Sequence, residues 1–332
     1  MSTVGASPPE SAESPESAES PGPSGSAGSF VHPALFYRDD DQYLAGTVPF
    51  VRDGLAAGEP VAVAVPGERL ELVREALGGD AGAVRLLDMR EAGRNPGRII
   101  PGVLRAFADA QESGRRVRII GEPIWAGRTA TEYPACVQHE ALINAAFAGR
   151  TVTILCPYDV RRLDERVLAD AYATHPTVIT DGSAIARDSA AYDPSGVVAR
   201  YNEPLPSVPG GLAFAFDRQT ISEARHVATG EGARLGLTGV RLDDLALVTA
   251  ELVTNSVVHG GGSGVVRVWE ENGTVVCEVR DGGRLTDPLA GRRPAPRDRR
   301  GGRGLLLVNL VSDLVRIHTA VDGTTVRCWF AV

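Results

Sequence analysis

The chain contains no lysine; all 34 of its lysine-or-arginine positions are arginine. That absence excludes several classes at once. A Walker A loop places a lysine on the nucleotide phosphates. A eukaryotic-type protein kinase needs one on its third strand, and Schiff-base chemistry needs the amine itself. Cysteine is scarce too. Cys136, Cys156, Cys277 and Cys328 are widely spaced with no Cys-x-x-Cys pair, which indicates neither a disulfide framework nor a zinc site. No apolar run approaches the ~18 residues of a membrane helix, so no membrane partner is expected. The first residues lack the basic start and apolar core of a secretory signal, and a cytoplasmic location is expected. The net charge of −8 argues against non-specific binding to nucleic acid, so no direct nucleic-acid partner is expected.

What is present suffices for folding. The 332 residues suggest two domains at about 100–200 residues each, and 43% hydrophobic content can fill real cores. Residues 1–29 are Ser, Pro, Glu, Gly and Ala, cannot bury a core and read as a disordered tail. From 30 to 190 short Val- and Ile-rich runs (61–65, 84–87, 117–120, 151–155) alternate with helix-like stretches (68–77, 98–112, 131–148). That pattern predicts a parallel sheet covered on both faces. Polar groups follow the runs, namely Asp88, Glu122 and Cys156-Pro157-Tyr158-Asp159, and ligands bind off such strand ends in open α/β sheets. Residues 191–211 read as a linker stiffened by proline, and 212–332 as a second domain.

Within that second domain Glu251, Asn255 and His259 recur every four residues. A helix turns about 100° per residue, so they form one polar stripe. Leu245, Val248, Leu252, Val253 and Val257 supply the apolar remainder. Two strand-like runs joined at Glu271-Asn272-Gly273 then deliver Asp281-Gly282-Gly283. A Pro- and Arg-rich stretch, 284–300, leads to Gly301-Gly302-Arg303-Gly304, which opens an apolar helix over 305–314. Glycines before a helix start let main-chain N–H groups approach an anion. A second hairpin turning at Asp322-Gly323 closes the chain.

These three ordered motifs resemble the ATP-binding domain of histidine kinases, gyrase-type ATPases and the Hsp90 family, and most of all the anti-sigma serine kinases. The resemblance implies a two-layer α/β sandwich over 212–332 that takes ATP and Mg²⁺. It implies that Asn255 holds the metal and that Glu251 orients or deprotonates the attacking hydroxyl. Asp281 would accept a hydrogen bond from the adenine amino group. Gly283 would let the base lie close to the backbone, and Gly302 and Gly304 would bring N–H groups to the phosphates. His259 would pack or hydrogen-bond beside the site. Segment 284–300 would be a lid whose arginines (Arg292, Arg293, Arg297, Arg299, Arg300) meet phosphate charge, or only a solvated basic loop. Leu285 stands where the superfamily often has a further glycine.

Residues 30–190 resemble the MEDS sensory domain of methanogen and methylotroph regulators. The matching residues are His32, Leu35-Phe36-Tyr37, Gly121-Glu122-Pro123 with Trp125, Cys156-Pro157-Tyr158-Asp159 and His175-Pro176. The resemblance implies sensing of an unknown ligand. Glu122, Trp125 and Tyr158 equally well brace loops, and a redox role for Cys156 would need exposure and a lowered thiolate pKa. Neither His139 nor His226 has the setting of a phosphorylated histidine. Together the two resemblances imply an ATP-dependent serine/threonine kinase acting on an anti-sigma antagonist, with a sigma factor as second partner and pairing as a homodimer. The alternative is a non-catalytic ATP/ADP switch that sequesters a protein.

Overall fold

A strand whose every residue is apolar is buried on both faces, and two such strands, Pro33–Tyr37 and Val61–Val65, lie within the sheet of the first domain. The computed structural model describes residues 1, 30–112, 114–180, 185–294 and 302–332; apart from Met1, the tail expected at 1–29 lies outside the described residues. The elements run β1 (Pro33–Tyr37), α1 (Asp40–Ala56), β2 (Val61–Val65), α2 (Gly67–Leu77), β3 (Arg85–Asp88), α3 (Met89–Ala92), α4 (Ala106–Asp109), β4 (Val117–Gly121), α5 (Tyr133–Ala146), β5 (Val152–Asp159), α6 (Glu165–Thr174), β6 (Thr177–Ile179) and β7 (Arg187–Asp188). They form one sheet in the order β3-β2-β4-β5-β1-β6-β7. It is parallel except for the short antiparallel β6–β7 edge. Successive residues of β1 and β2 feed two cores. Ala34, Phe36, Ala62 and Ala64 share one core with Met89, Ile99, Ile100, Leu142 and Ile143, while Leu35, Tyr37, Val61 and Val63 join Tyr43, Val51, Leu70 and Val73 of α1 and α2. Each fully buried large aliphatic side chain contributes about 1.5–3 kcal/mol.

The helix expected over 98–112 is not a regular one. A 3₁₀ turn (Pro96–Arg98) leads into a π-helical stretch (Ile100–Arg105) and only then into α4. Pro101 lacks an N–H and its ring crowds the preceding turn, which accounts for the widened ladder.

The second domain follows α7 (Pro194–Arg200). It comprises β8 (Leu212–Asp217), α8 (Ile221–Arg234), α9 (Gly239–His259), β9 (Ser263–Glu271), β10 (Thr274–Asp281), α10 (Gly304–Val311), β11 (Leu314–Ala320) and β12 (Gly323–Ala331). Its antiparallel sheet has the order β11-β12-β10-β9-β8. The apolar face of α9 (Leu245, Val248, Leu252, Val253, Val257) is buried against Val266, Val275, Cys277 and Phe330, with α8 and α10 alongside. The result is the expected two-layer α/β sandwich. The helix expected to reach residue 314 stops at Val311, because Asp313 N–H bonds to Trp329 O and Leu314 pairs with Trp329 as the start of β11.

The segment read as a linker is neither free nor wholly extended. Asp193 caps α7 by accepting from Gly196 N–H at 2.9 Å. Tyr201 is buried against α5. Residues beyond it lie on the second face of the C-terminal sheet, where Arg327 and Glu278 pair across β10 and β12. Arg327 donates to Glu278 Oε2 at 2.5 and 2.8 Å and to Pro206 O at 2.8 Å. Val208, Trp269, Val276, Leu314, Trp329 and Ala135 of α5 close that face.

Candidate functional site

The polar stripe of α9 runs past the start of α10 to the end of β10. Between them lies a cavity of about 460 Å³, lined in part by Asn255, His259, Asp281, Gly283, Gly302 and Gly304. Its size suits a drug- or nucleotide-sized ligand. Leu252, Val279, Leu305 and Val326 give it an apolar floor. Six of the seven residues singled out in the sequence therefore converge. Glu251 is the exception: it does not line the cavity but stands one turn back on α9, beside Gly304.

Asp281 is fixed from both sides. Its Oδ2 accepts from Ser256 Oγ at 2.6 Å and its Oδ1 from Gly283 N–H at 2.8 Å. An ionised carboxylate has about four lone-pair positions, so acceptor capacity remains for a ligand amino group. Gly283 has a reason besides ligand access. A Cβ there would lie 2.6 Å from both Gly260 Cα and His259 O, which are backbone and cannot swing aside. Gly283→Ala should therefore push β10 and the end of α9 apart, costing about 1–3 kcal/mol; denaturant unfolding of the variant measures it. Gly302 has φ +77°, which a side chain disfavours. At Gly304 a Cβ would meet Glu251 Oε2 at 2.6 Å and Asn255 Nδ2 at 3.2 Å, so the α10 N-terminus lies close against the α9 stripe and a side chain there would displace the Glu251 carboxylate.

Sequence reasoning missed the two hydroxyls. Besides Ser256, Thr324 Oγ1 donates to Gly283 O at 2.8 Å and holds that turn. Neither carries a spacing signal. The lid assignment needs correcting in part. Residues 295–301, with Arg297, Arg299 and Arg300, lie outside the described residues. Arg293 lines the cavity and pairs with Asp287 at 3.2 Å. Arg292 does not serve there: it is buried among residues of the first domain, near Cys136, and burial lowers its pKa to about 10. Leu289 is likewise buried in the first domain's core. Leu285 and Ala290 line both the nucleotide-sized cavity and a second one, of about 490 Å³, against α5 and α7. The two domains are tied further. Asn95 Nδ2 donates to Asn309 O at 2.8 Å, Arg94 pairs with Asp313 at 2.7 Å, and Asn202 makes two hydrogen bonds to the Thr319 backbone.

In the first domain the strand-end residues divide by face. Glu122 Oε1 accepts from Tyr37 Oη at 3.3 Å, while the Arg69 guanidinium lies over Tyr37 and Tyr43 and pairs with Asp159 at 3.6 Å. Glu122 Oε2 and Tyr43 Oη are buried without a hydrogen-bond partner. Burial raises the Glu122 pKa to about 8, with Arg69 opposing. A carboxyl raised in the folded state stabilises below its unfolded value. That contribution is lost as pH rises from about 4.5 to about 8. Glu122→Gln should flatten stability against pH in that window, as urea titrations at several pH values would record. Trp125 braces its loop: Arg128 lies 3.9 Å over its ring and donates to Pro123 O and Gly93 O. Cys156 is buried and its thiol pKa is pushed up, the opposite of what a redox sensor requires. His139 is buried too, with its pKa lowered to about 3, out of reach of a phosphodonor.

A mostly parallel α/β domain is thus tied to an antiparallel sandwich whose helices flank a glycine-rimmed cavity. Residues 31–176 match the MEDS family, the methanogen/methylotroph, DcmR sensory domain, and residues 214–330 match the histidine kinase-like ATPase domain. The chain thus joins a MEDS sensory domain to a histidine kinase-like ATPase domain, a regulatory protein with a kinase-like ATPase. Among curated proteins none matches it. No helix among the described residues is long and apolar enough to cross a membrane.

Proposed function

We propose that this chain is a cytoplasmic anti-sigma regulator that transfers phosphate from ATP to a serine or threonine of an anti-sigma antagonist, under control of its N-terminal domain. One observation carries the control. The segment leaving Asp281 lines the nucleotide-sized cavity with Leu285, Ala290 and Arg293 while burying Leu289 and Arg292 in the sensory domain. A ligand change there moves the wall of the ATP cavity.

The residues present fit Mg·ATP without an amine. Asp281, held by Ser256 and Gly283, accepts from the adenine amino group. Asn255 offers an amide oxygen suited to Mg²⁺, which neutralises phosphate charge when bound. Gly302 and Gly304 line the cavity at the start of α10, where main-chain N–H groups would receive the phosphates. Glu251 aims the substrate hydroxyl, and phosphoryl transfer depends mostly on such positioning. A sigma factor is the second partner, and the chain works as a homodimer.

A second reading is favoured by Glu251 standing outside the cavity wall: an ATP/ADP-gated binding switch without transfer. Incubation with labelled ATP and a candidate antagonist separates them. The kinase reading expects phosphoserine or phosphothreonine, lost in Glu251→Gln while ATP still binds. Nucleotide binding with no phosphorylated antagonist supports the switch instead.

A further inference from the structure

Four side chains distant in sequence meet inside the MEDS domain. His32 precedes β1, Glu140 lies on α5, Cys156 on β5 and His175 at the end of α6. Each is at most 1% exposed. One ligand atom from each lies within 4.8 Å of all the others.

The outer partners decide which ring nitrogens face inward. Asn144 Nδ2 donates to Thr174 O at 2.8 Å, so its Oδ1 is the acceptor 3.1 Å from His32 Nδ1. His175 Nδ1 lies 2.9 Å from Ala171 O, a group that only accepts. Both neutral rings therefore carry their proton on Nδ1 and present a bare Nε2 to the centre. These Nε2 atoms lie 3.5 Å (His32) and 3.1 Å (His175) from Glu140 Oε2, and Cys156 Sγ is 3.4 Å from His32 Nε2. Glu140 Oε1 and Oε2 and His175 Nε2 have no hydrogen-bond partner. Lone pairs facing a buried carboxylate repel, and an unmet buried charge is costly. A single proton on one imidazole relieves one contact. A cation at the centre relieves all of them.

We propose that His32, Glu140, Cys156 and His175 form a closed, four-ligand Zn²⁺ site. Two imidazoles, a carboxylate and a thiolate suit a borderline-soft ion of tetrahedral preference. Asn144 and the Ala171 carbonyl are the outer hydrogen-bond acceptors that such histidines use to fix their tautomer. The site lies at the amino ends of β1 and β6, whereas Tyr37, Glu122 and Asp159 sit at the carboxyl ends where sheet ligands bind. It ties β1, β5, α5 and α6 together and is separate from the nucleotide cavity. Sequence spacing hid it, since 124 residues separate His32 from Cys156.

The test uses the full chain without nucleotide, stripped by chelator, then incubated with Zn²⁺ and desalted. Elemental analysis should find one zinc per chain. Loading with Co²⁺ should give the intense visible bands of a four-coordinate site and a thiolate-to-cobalt charge-transfer band. Cys156→Ser should lose that charge-transfer band. Absence of retained zinc in the wild-type chain, which needs no variant to fold, would overturn the proposal. So would a cobalt spectrum of six-coordinate type, or a charge-transfer band that survives Cys156→Ser.

Discussion

Asn255→Ala should weaken Mg·ATP binding by roughly 10- to 100-fold, the loss of one charge-assisted contact of about 1.5–3 kcal/mol. The fold should survive. Asn255 is only half-buried on the cavity side of α9, and alanine is the stronger helix former. Stability should therefore stay within about 0.5 kcal/mol of the parent. Calorimetric titration with Mg·ATP, beside a denaturant curve on the same sample, separates the two effects. Unchanged affinity would remove Asn255 from the site. Lost affinity with lost stability would mean that the residue holds the fold, not the ligand.

Glu278→Ala should cost about 3–5 kcal/mol, because it strands the Arg327 guanidinium in a buried setting. Both side chains are under 10% exposed, and Arg327 also packs 5.0 Å over the Trp269 ring. Its hydrogen bond to Pro206 O is one tie between the connecting segment and the sheet, so loosening is expected there as well. Replacing both partners, Glu278→Leu with Arg327→Met, should recover most of the loss, since well-packed apolar pairs substitute for buried ion pairs. Urea unfolding of the three chains tests this. A single substitution costing under about 1 kcal/mol would show that water reaches the pair.

Much of the lining of the candidate site was legible in the sequence because its signals are local. Glu251, Asn255 and His259 share a helical period; Asp281 and Gly283 follow a strand, and Gly302 and Gly304 precede a helix. Each needs only its neighbours to be placed. What local reasoning could not place depends on distant chain. The burial of Arg292 arises against α5, some 150 residues earlier in the sequence. Ser256 and Thr324 are single hydroxyls whose partners are set by register. Leu314 looked helical by hydropathy and became strand through pairing with Trp329. The sheet of the first domain was readable from its Val- and Ile-rich runs, whereas β1, apolar but without a β-branched residue, and α1, which carries Pro49 inside the helix, were not read from the sequence. The segment 191–211 was readable as a connection, while its docking on the second face of the sandwich was not.

The central claim is that a nucleotide binds with its adenine at Asp281 and its phosphates at the start of α10. Comparative titration of the full chain with Mg·ATP and Mg·GTP tests it most directly. A carboxylate held as an acceptor favours the amino group of adenine over the carbonyl that guanine carries at the same place. The account predicts saturable binding of one ATP per chain, much weaker binding of GTP, and loss of ATP binding in Asp281→Ala. No saturable ATP binding, or GTP bound equally well with Asp281→Ala indifferent to both, would contradict it.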